Sequence, residues 1–355
     1  MQSETEATLG VVIVAYASED VICECLETLI ASVGVKLKIV VVDNASTDGT
    51  CAAVIDWASG ETPFVQPENS PLERRDAVAK PVQLRQLSMG EDSGPLGQIT
   101  LIRSDLNRGF AGGVNVGLKA LAGQADLIWV LNPDCAVPPT AARSFVEAAS
   151  ANPRFALMTC RTIYYDQPDR IQTDGGQVNR FTGACRQLGY GQQVSEAPRP
   201  NAADIDWVTG ANMVVSSSFI AKAGLMTETY FLYYEEVDWA FRRGDMALAI
   251  APDAFIYHRG GTSIGTGSIA RRPSPFANYF NHRNRVWFAR RFLSRFPVGA
   301  YMYGLFKAGQ LVAKGAFDEA HGVLSGTFDL PPPRSVANRF SEPAVVALAF
   351  GRQSK

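Results

Sequence analysis

Val41–Thr50 reads Val-Val-Asp-Asn-Ala-Ser-Thr-Asp-Gly-Thr, an apolar β-branched run that stops on an acid and turns at once into polar residues. Val and Ile fit a pleated, buried surface, whereas Ser and Thr favour helix starts, so Ile39–Val42 is expected as a strand and Ser46–Trp57 as a helix. Upstream, Val11–Tyr16 (VVIVAY) has the same character, and Val21, Cys25 and Leu29 then recur at helical spacing behind Ser18 and Asp20. Downstream, Ile99–Ile102 reads as a third strand, Arg108–Gly113 as a glycine-rich turn opening a helix to about Leu121, and Leu127–Leu131 as a fourth strand. Strands alternating with helices predict an α/β fold with a mainly parallel sheet, Rossmann-like, covered by helices on both faces. Ligands of such sheets bind at the carboxyl ends of the strands. Asp43, Asn44 and Asp134 all sit at those ends.

The rest of the chain is less regular. Glu61–Gly97 is rich in Pro, Glu, Gln and Ser and reads as a surface insertion at 61–97. Trp207–Ser217 is expected as a strand, Tyr233–Arg243 as a helix, and Leu248–Ala251 and Ala254–His258 as strand segments. With 355 residues, 46% of them hydrophobic, there is material for one large core or two modest ones. No apolar run approaches the ~18 residues of a membrane span, and Met1–Gly10 lacks the basic start of a secretory signal. Six cysteines without CxxC spacing read as reduced thiols rather than a disulfide framework or zinc site, which fits a cytoplasmic protein.

A dinucleotide oxidoreductase would carry GxGxxG directly after the first strand. Here that position holds Ala15-Tyr16-Ala17-Ser18-Glu19-Asp20, and the glycines of Asn107–Gly113 follow the third strand instead. A Walker lysine is also missing. Taken singly, Asp43 and Asp134 read equally well as helix caps. Together they surround one crevice that suits a nucleotide and a diphosphate-bound metal.

In order and spacing, VVIVAY, VVDNASTDGT, NRGFAGGVNVGL and LIWVLNPDC resemble the nucleotide-binding half of family-2 glycosyltransferases, most of all a rhamnosyltransferase-like subgroup. The resemblance continues through Trp207–Asn212, Phe231–Arg242 (FLYYEEVDWAFR) and Tyr257–Gly261 (YHRGG), covering roughly residues 9–265. It implies a GT-A domain over 1–266, followed by a basic, mainly helical region over 267–355. It implies an inverting, metal-dependent enzyme that moves a sugar, such as rhamnose or another hexose, from a UDP- or dTDP-linked donor to a glycan or lipid-linked acceptor. Asn132-Pro133-Asp134 stands in the place of the family's DxD motif, so Asp134 would bind Mg²⁺ or Mn²⁺, hard cations that prefer carboxylate oxygen. Asn132 departs from that motif and brings no negative charge. Ala15, Tyr16, Asp43, Asn107 and Asn115 fall where relatives hold the nucleotide, and Ala17 departs from their usual Asn. His258 matches a histidine that serves as metal or diphosphate ligand, whereas His282 and His321 match nothing.

The acceptor side is carried by Trp207 and by Glu235, Glu236 and Asp238. Like charges so close raise at least one pKa when partly buried, as a general base near neutral pH requires. The resemblance puts the base at Glu236, where relatives more often have Asp. The plainer reading is a solvated acidic helix face, with Asp238 paired to Arg242. Two rival functions stay open: a nucleotide-sugar-binding protein with little catalysis, and a glycoside hydrolase with paired carboxylates.

Charge is uneven. From Ser268 to Lys355 there are 13 Lys/Arg against 4 Asp/Glu, and the remainder carries a net −11. An acidic body argues against a nucleic-acid partner. Phe276/Phe280/Trp287 and Phe288/Phe292/Phe296 recur at near-helical spacing among five arginines, which predicts an amphipathic helix. Over 273–297 it would either pack on the GT-A domain or lie on the inner face of an anionic membrane as a peripheral contact. Self-association is left open.

Overall fold

A computed structural model describes residues 8–198, 200–260 and 272–351. Gly261, at the end of the YHRGG match, and the expected boundary at 266/267 lie outside the described residues. The first half alternates as read: β1 (Thr8–Ala15), α1 (Ile22–Ile30), β2 (Lys36–Asp43), α2 (Thr50–Ser59), β3 (Leu84–Ser88), β4 (Ile99–Arg103), α3 (Gly109–Leu121) and β5 (Leu127–Leu131). Next come β6 (Cys135–Ala136), α4 (Ala141–Ala151), β7 (Phe155–Tyr164), β8 (Ile171–Thr173), β9 (Gly176–Val178) and β10 (Cys185–Gln187). Then follow β11 (Asn212–Ser216), α5 (Ser217–Ala223), α6 (Glu235–Phe241) and β12 (Ala247–His258). The chain ends in α7 (Pro275–Phe292), α8 (Val298–Ala313), α9 (Phe317–Thr327), α10 (Arg334–Ala337) and α11 (Pro343–Phe350).

The main sheet runs β3-β4-β2-β1-β5-β11-β7-β12-β6, with β8 beside β7. From β3 to β5 every pairing is parallel, and β11 enters antiparallel between β5 and β7. Side chains of a strand alternate faces. Val11 and Ile13 of β1 therefore join α1, α2 and α4 in one core, while Val12 and Val14 join α3, α6 and α7 in another. Helix α3 lies close on β1 because Gly113 and Gly117 leave room: a Cβ there would stand 2.5 Å from Val14 Cγ1 and 2.4 Å from Val12 Cγ1.

Two expectations change. Within Glu61–Gly97, β3 extends the sheet beyond β4. An edge strand buries only part of its side chains; here Leu87 is buried beside the polar Arg85, Gln86 and Ser88, so the stretch reads as loop. The second change is α7. Its aromatic spacing predicts a two-faced helix, yet Phe276, Tyr279, Phe280, Arg283, Arg285, Val286, Trp287 and Phe288 are all buried. Trp287 and Phe288 belong to the core built on Val12 and Val14. Arg283 is 1% exposed and gives its N–H groups to the carbonyls of Ala349 and Tyr230. Such bonds let a cation sit inside a protein. The aromatics thus pack on the body of the protein, the first of the two alternatives, with Phe292 half-buried and Phe296, past the helix end, exposed. No helix among the described residues is long and apolar enough to cross a membrane.

Candidate active site

The carboxyl ends of β1, β2 and β5 open into a cavity of about 660 Å³. Its walls include Tyr16, Asn107, Asn132, Asp134, Trp207 and His258, with Glu235 and Glu236 among the further lining residues. The sequence separates these residues by up to 242 positions, and the parallel sheet brings them together.

On the nucleotide side, Asn44 acts as a clasp. Its Nδ2 donates to Asn107 Oδ1 (3.1 Å) and to the Gly109 carbonyl (3.1 Å), while its Oδ1 accepts from Arg108 N–H. Asn107 Oδ1 also accepts from Gly109 N–H (2.9 Å). These bonds hold the glycine turn at the head of α3. Gly109 has φ 70°, and a Cβ there would stand 2.3 Å from the Phe231 carbonyl oxygen, so no larger residue fits. Ala15 contributes its carbonyl, which accepts from Asn44 N–H (2.8 Å). Asp43 is buried behind Asn44 and is not among the lining residues; its Oδ1 accepts from Ser46 N–H.

The metal-side cluster follows β5. Asp134 Oδ1 lies 3.1 Å from His258 Nε2, and Asn132 Nδ2 lies 3.2 Å from the same nitrogen. His258 Nδ1 meets Gln172 Oε1 at 2.6 Å. A glutamine carbonyl oxygen can only accept, so Nδ1 carries the proton, and with neutral imidazole Nε2 presents a lone pair. A lone pair facing a carboxylate at this distance calls for a proton or a metal cation between them. Burial by itself would raise the Asp134 carboxyl, but a positive charge at the His258 position, with hydrogen bonds from that ring and from backbone N–H groups, outweighs it and holds it below the usual range. Asp134, Cys135 and His258 all have ligand atoms within 4.8 Å of one another. Burial pushes the Cys135 thiol well up, which leaves an oxygen–nitrogen pair, Asp134 and His258, as the set suited to a hard divalent cation.

Across the cavity stand the acids of α6. Glu235 is buried with Oε2 lacking a partner among the described residues, and burial followed by the Glu236 charge drives its carboxyl well above the usual range. Burial raises Glu236 to about 7, against the pull of backbone N–H groups. The two carboxyls titrate as a pair. Glu236 is the more exposed of the two. The turn before them is held in an unusual backbone state: Phe231, Tyr233 and Tyr234 have φ of 64°, 67° and 75°. Asn284 of α7 clamps that turn, its Nδ2 donating to the carbonyls of Tyr230 (2.9 Å), Leu232 (2.6 Å) and Tyr233 (2.9 Å). Trp207 Nε1 is buried without a partner among the described residues.

Besides Ala15 and Asp43, which do not line the cavity, two further expected site residues lie elsewhere. Asn115, on α3, spends its amide on Met226 and Glu228, tying the helix to the loop before α6, and does not line the cavity. Asp238 is fully buried and bonds Arg242, Arg291, Thr227 and Tyr230, which makes it a structural hub instead of an acceptor contact. The plainer reading, a pair with Arg242, holds in part, but the face is interior. Sequence reading missed Gln172, Asn281, Asn284 and Arg339. Gln172 sits on three-residue β8, and the others belong to a region read only for its charge; Gln172, Asn281 and Arg339 all line the cavity.

The sequence model of the family described as Glycosyl transferase family 2 matches residues 10–71 and 91–199. The chain is 23% identical over 231 residues to the low-salt glycan biosynthesis hexosyltransferase Agl10 of Haloferax volcanii, covering 64% of this chain and 66% of that protein. It is 28% identical over 173 residues to the succinoglycan biosynthesis protein ExoO of Rhizobium meliloti, covering 49% of this chain and 36% of that one. The chain thus spans just under two thirds of the first relative and about a third of the second. Among solved structures, S. aureus TarS 1-349 in complex with UDP-GlcNAc superposes with a TM-score of 0.50 at 13% identity, over 93% of this chain and 83% of that one. The fold is GT-A, as the sequence predicts, and the family match with its hexosyltransferase relative supports a family-2 glycosyltransferase.

Proposed function

We propose that this chain is an inverting glycosyltransferase that passes a hexose or deoxyhexose, rhamnose among them, from a nucleoside-diphosphate donor to a hydroxyl of a glycan or lipid-linked acceptor. One observation carries the reading: a cation-suited Asp134–His258 pair and an acid raised to about 7, Glu236, occupy the walls of one cavity. Asn107, Asn132 and Tyr16 line the donor end, and Trp207 with Glu235 lines the acceptor end. Asp134 and His258 would hold Mg²⁺ or Mn²⁺, which neutralises charge on a departing diphosphate. Glu236 takes the proton of the acceptor hydroxyl, the oxygen attacks the anomeric carbon, and the bond to the diphosphate oxygen breaks. A single displacement inverts the configuration. Burial and the Glu236 charge favour the protonated form of Glu235, in which it can donate to a sugar oxygen.

The test is a panel of UDP-, dTDP- and GDP-sugars screened for protection against thermal unfolding with and without Mn²⁺. A donor at 100 times its Kd stabilises by about 2.7 kcal/mol. Donors that protect only with metal, followed by turnover giving an inverted product by NMR, support the reading. Protection without any turnover points to a binding protein, a reading that Asn132 in place of an acid favours. No protection by any nucleotide sugar refutes both.

A further inference from the structure

Helix α8 is built inside out for a helix facing water. Its buried residues are the small ones, Gly299, Ala300, Gly304 and Ala308. A Cβ on Gly304 would stand 2.2 Å from Thr327 Oγ1 of α9, so the inner face has no space for anything larger. The large apolar side chains point outward: Val298, Met302, Leu305, Phe306 and Val312 are all exposed, Met302 by 58% and Phe306 by 62%. At 100° per residue these five fall within one arc, with Gly309 at its centre, and no charged residue interrupts them. Phe296 and Phe317 prolong the strip at either end, and Phe328 stacks beside it on Tyr301. A continuous apolar face of this length on a folded protein marks a contact surface.

Charge decides the partner. From Arg272 to Phe317 there is no Asp or Glu, while Arg290, Arg295, Lys307 and Lys314 lie on or next to the helix. Tyr301 edges the strip and is bonded by Arg290, and Arg295 lies over exposed Phe296 at its start. Apolar centre, amphipathic aromatic edges and basic flanks match the layers of a lipid surface whose headgroups are anionic. A second copy of the chain fits worse, because pairing through α8 would press two strongly basic regions together.

We infer that α8 seats this protein on an anionic membrane, with Phe296, Met302 and Phe306 entering the acyl boundary and Arg290 and Arg295, beside Tyr301 and Phe296, meeting lipid phosphates. The contact stands on α8, not on buried α7, and does not depend on the glycosyltransferase reading. Asp318 and Glu319 open α9 just past Phe317 and limit how far the strip can sink at that end.

Vesicle flotation tests this with the full chain, comparing phosphatidylcholine alone against mixtures with phosphatidylglycerol, at low and high salt. Wild type should float with anionic vesicles at low salt and less at high salt. Met302→Asp with Phe306→Asp should cut binding by about tenfold or more, and Arg290→Glu with Arg295→Glu should weaken it several-fold and flatten the salt dependence. All four side chains are at least partly exposed, so melting temperatures should hold, which separates lost binding from lost folding. Wild type that stays unbound at low salt overturns the inference, as does binding that the apolar pair leaves unchanged. Light scattering that shows a vesicle-free dimer dissociated by the same apolar pair also overturns it, in favour of a protein interface.

Discussion

Asn284→Ala separates catalysis from donor binding. The wild-type amide serves three carbonyls of the turn that carries Glu235 and Glu236. Tyr230 keeps a donor in the variant, because Arg283 Nη2 also reaches its carbonyl at 3.0 Å. Leu232 and Tyr233 lose theirs, and both are only partly buried, so each loss costs about 1 kcal/mol. Against that stands the backbone strain of Phe231, Tyr233 and Tyr234, roughly 1–3 kcal/mol apiece. Strain of that size exceeds the remaining restraint, so the turn relaxes instead of keeping its shape. Partial relief of that strain offsets part of the roughly 2 kcal/mol lost with the two bonds, so the net destabilisation stays below about 2 kcal/mol, or a few degrees in Tm. The acids, however, move with the turn, and a displacement of about 1 Å at a reacting group costs on the order of 10²-fold in rate. The donor end is tied separately by Asn44 and Asn107. Steady-state kinetics with a donor-binding titration should therefore give kcat down about 10²-fold and donor Kd nearly unchanged. A variant with wild-type kcat at the same small Tm loss would falsify the positioning role of Asn284.

Asp134→Ala should remove the metal dependence of nucleotide binding along with turnover, because it takes away the carboxylate facing His258; calorimetry with Mn²⁺ that matches wild type would reject the assignment. Glu236→Gln should leave donor binding intact and lower kcat by roughly 10²–10⁴-fold. Since a base must be unprotonated, wild-type kcat/KM should climb with pH through about 7 and then level off. The same raised value has a stability sign: the contribution is full below the ordinary 4.5, shrinks as pH rises, and is lost above about 7. Urea melts of wild type across that window should decline more steeply than those of Glu236→Gln, and parallel curves would count against the shift. Gly109→Ala should destabilise by at least about 2 kcal/mol, because its φ of 70° and the Phe231 carbonyl both oppose a side chain; a wild-type melt would show that the turn is slack.

The parallel half was legible because its strands are buried on both faces, so Val11–Ala15 and Ile39–Val42 are apolar without interruption. Polar residues at strand ends then stand out, which is how Asp43, Asn44 and Asp134 could be read, while Tyr16 and Asn107 rest on the family resemblance. Edge strand β3 was not legible, since Arg85, Gln86 and Ser88 face solvent at least in part and mimic a loop. Asn115 misled for a related reason. It lies one helical turn beyond the glycine turn that Asn107 anchors, but the helix points it at Met226 and away from the crevice. Gln172 carries no local pattern at all, because its partner, His258, is 86 residues away.

Helix α7 takes the packing alternative, and its arginines show why charge and spacing alone also leave a lipid-facing one open. Arginines are normally solvated, so a segment with five of them and regular aromatics reads as amphipathic. Arg283 and Arg285 escape that rule in different ways. Arg283 satisfies its guanidinium with carbonyls of Tyr230 and Ala349 and lies 4.3 Å from the centroid of the Trp287 ring. Arg285 bonds Tyr234 Oη and sits over Tyr303. Both anchor α7 against the turn that precedes Glu235 and Glu236, and Asn284 between them clamps the backbone itself. Three consecutive residues thus fix the geometry that Glu236 needs, though the family-level resemblance ends before any of them. The surface suited to lipid falls to α8, where large apolar side chains face outward beside Arg290 and Arg295.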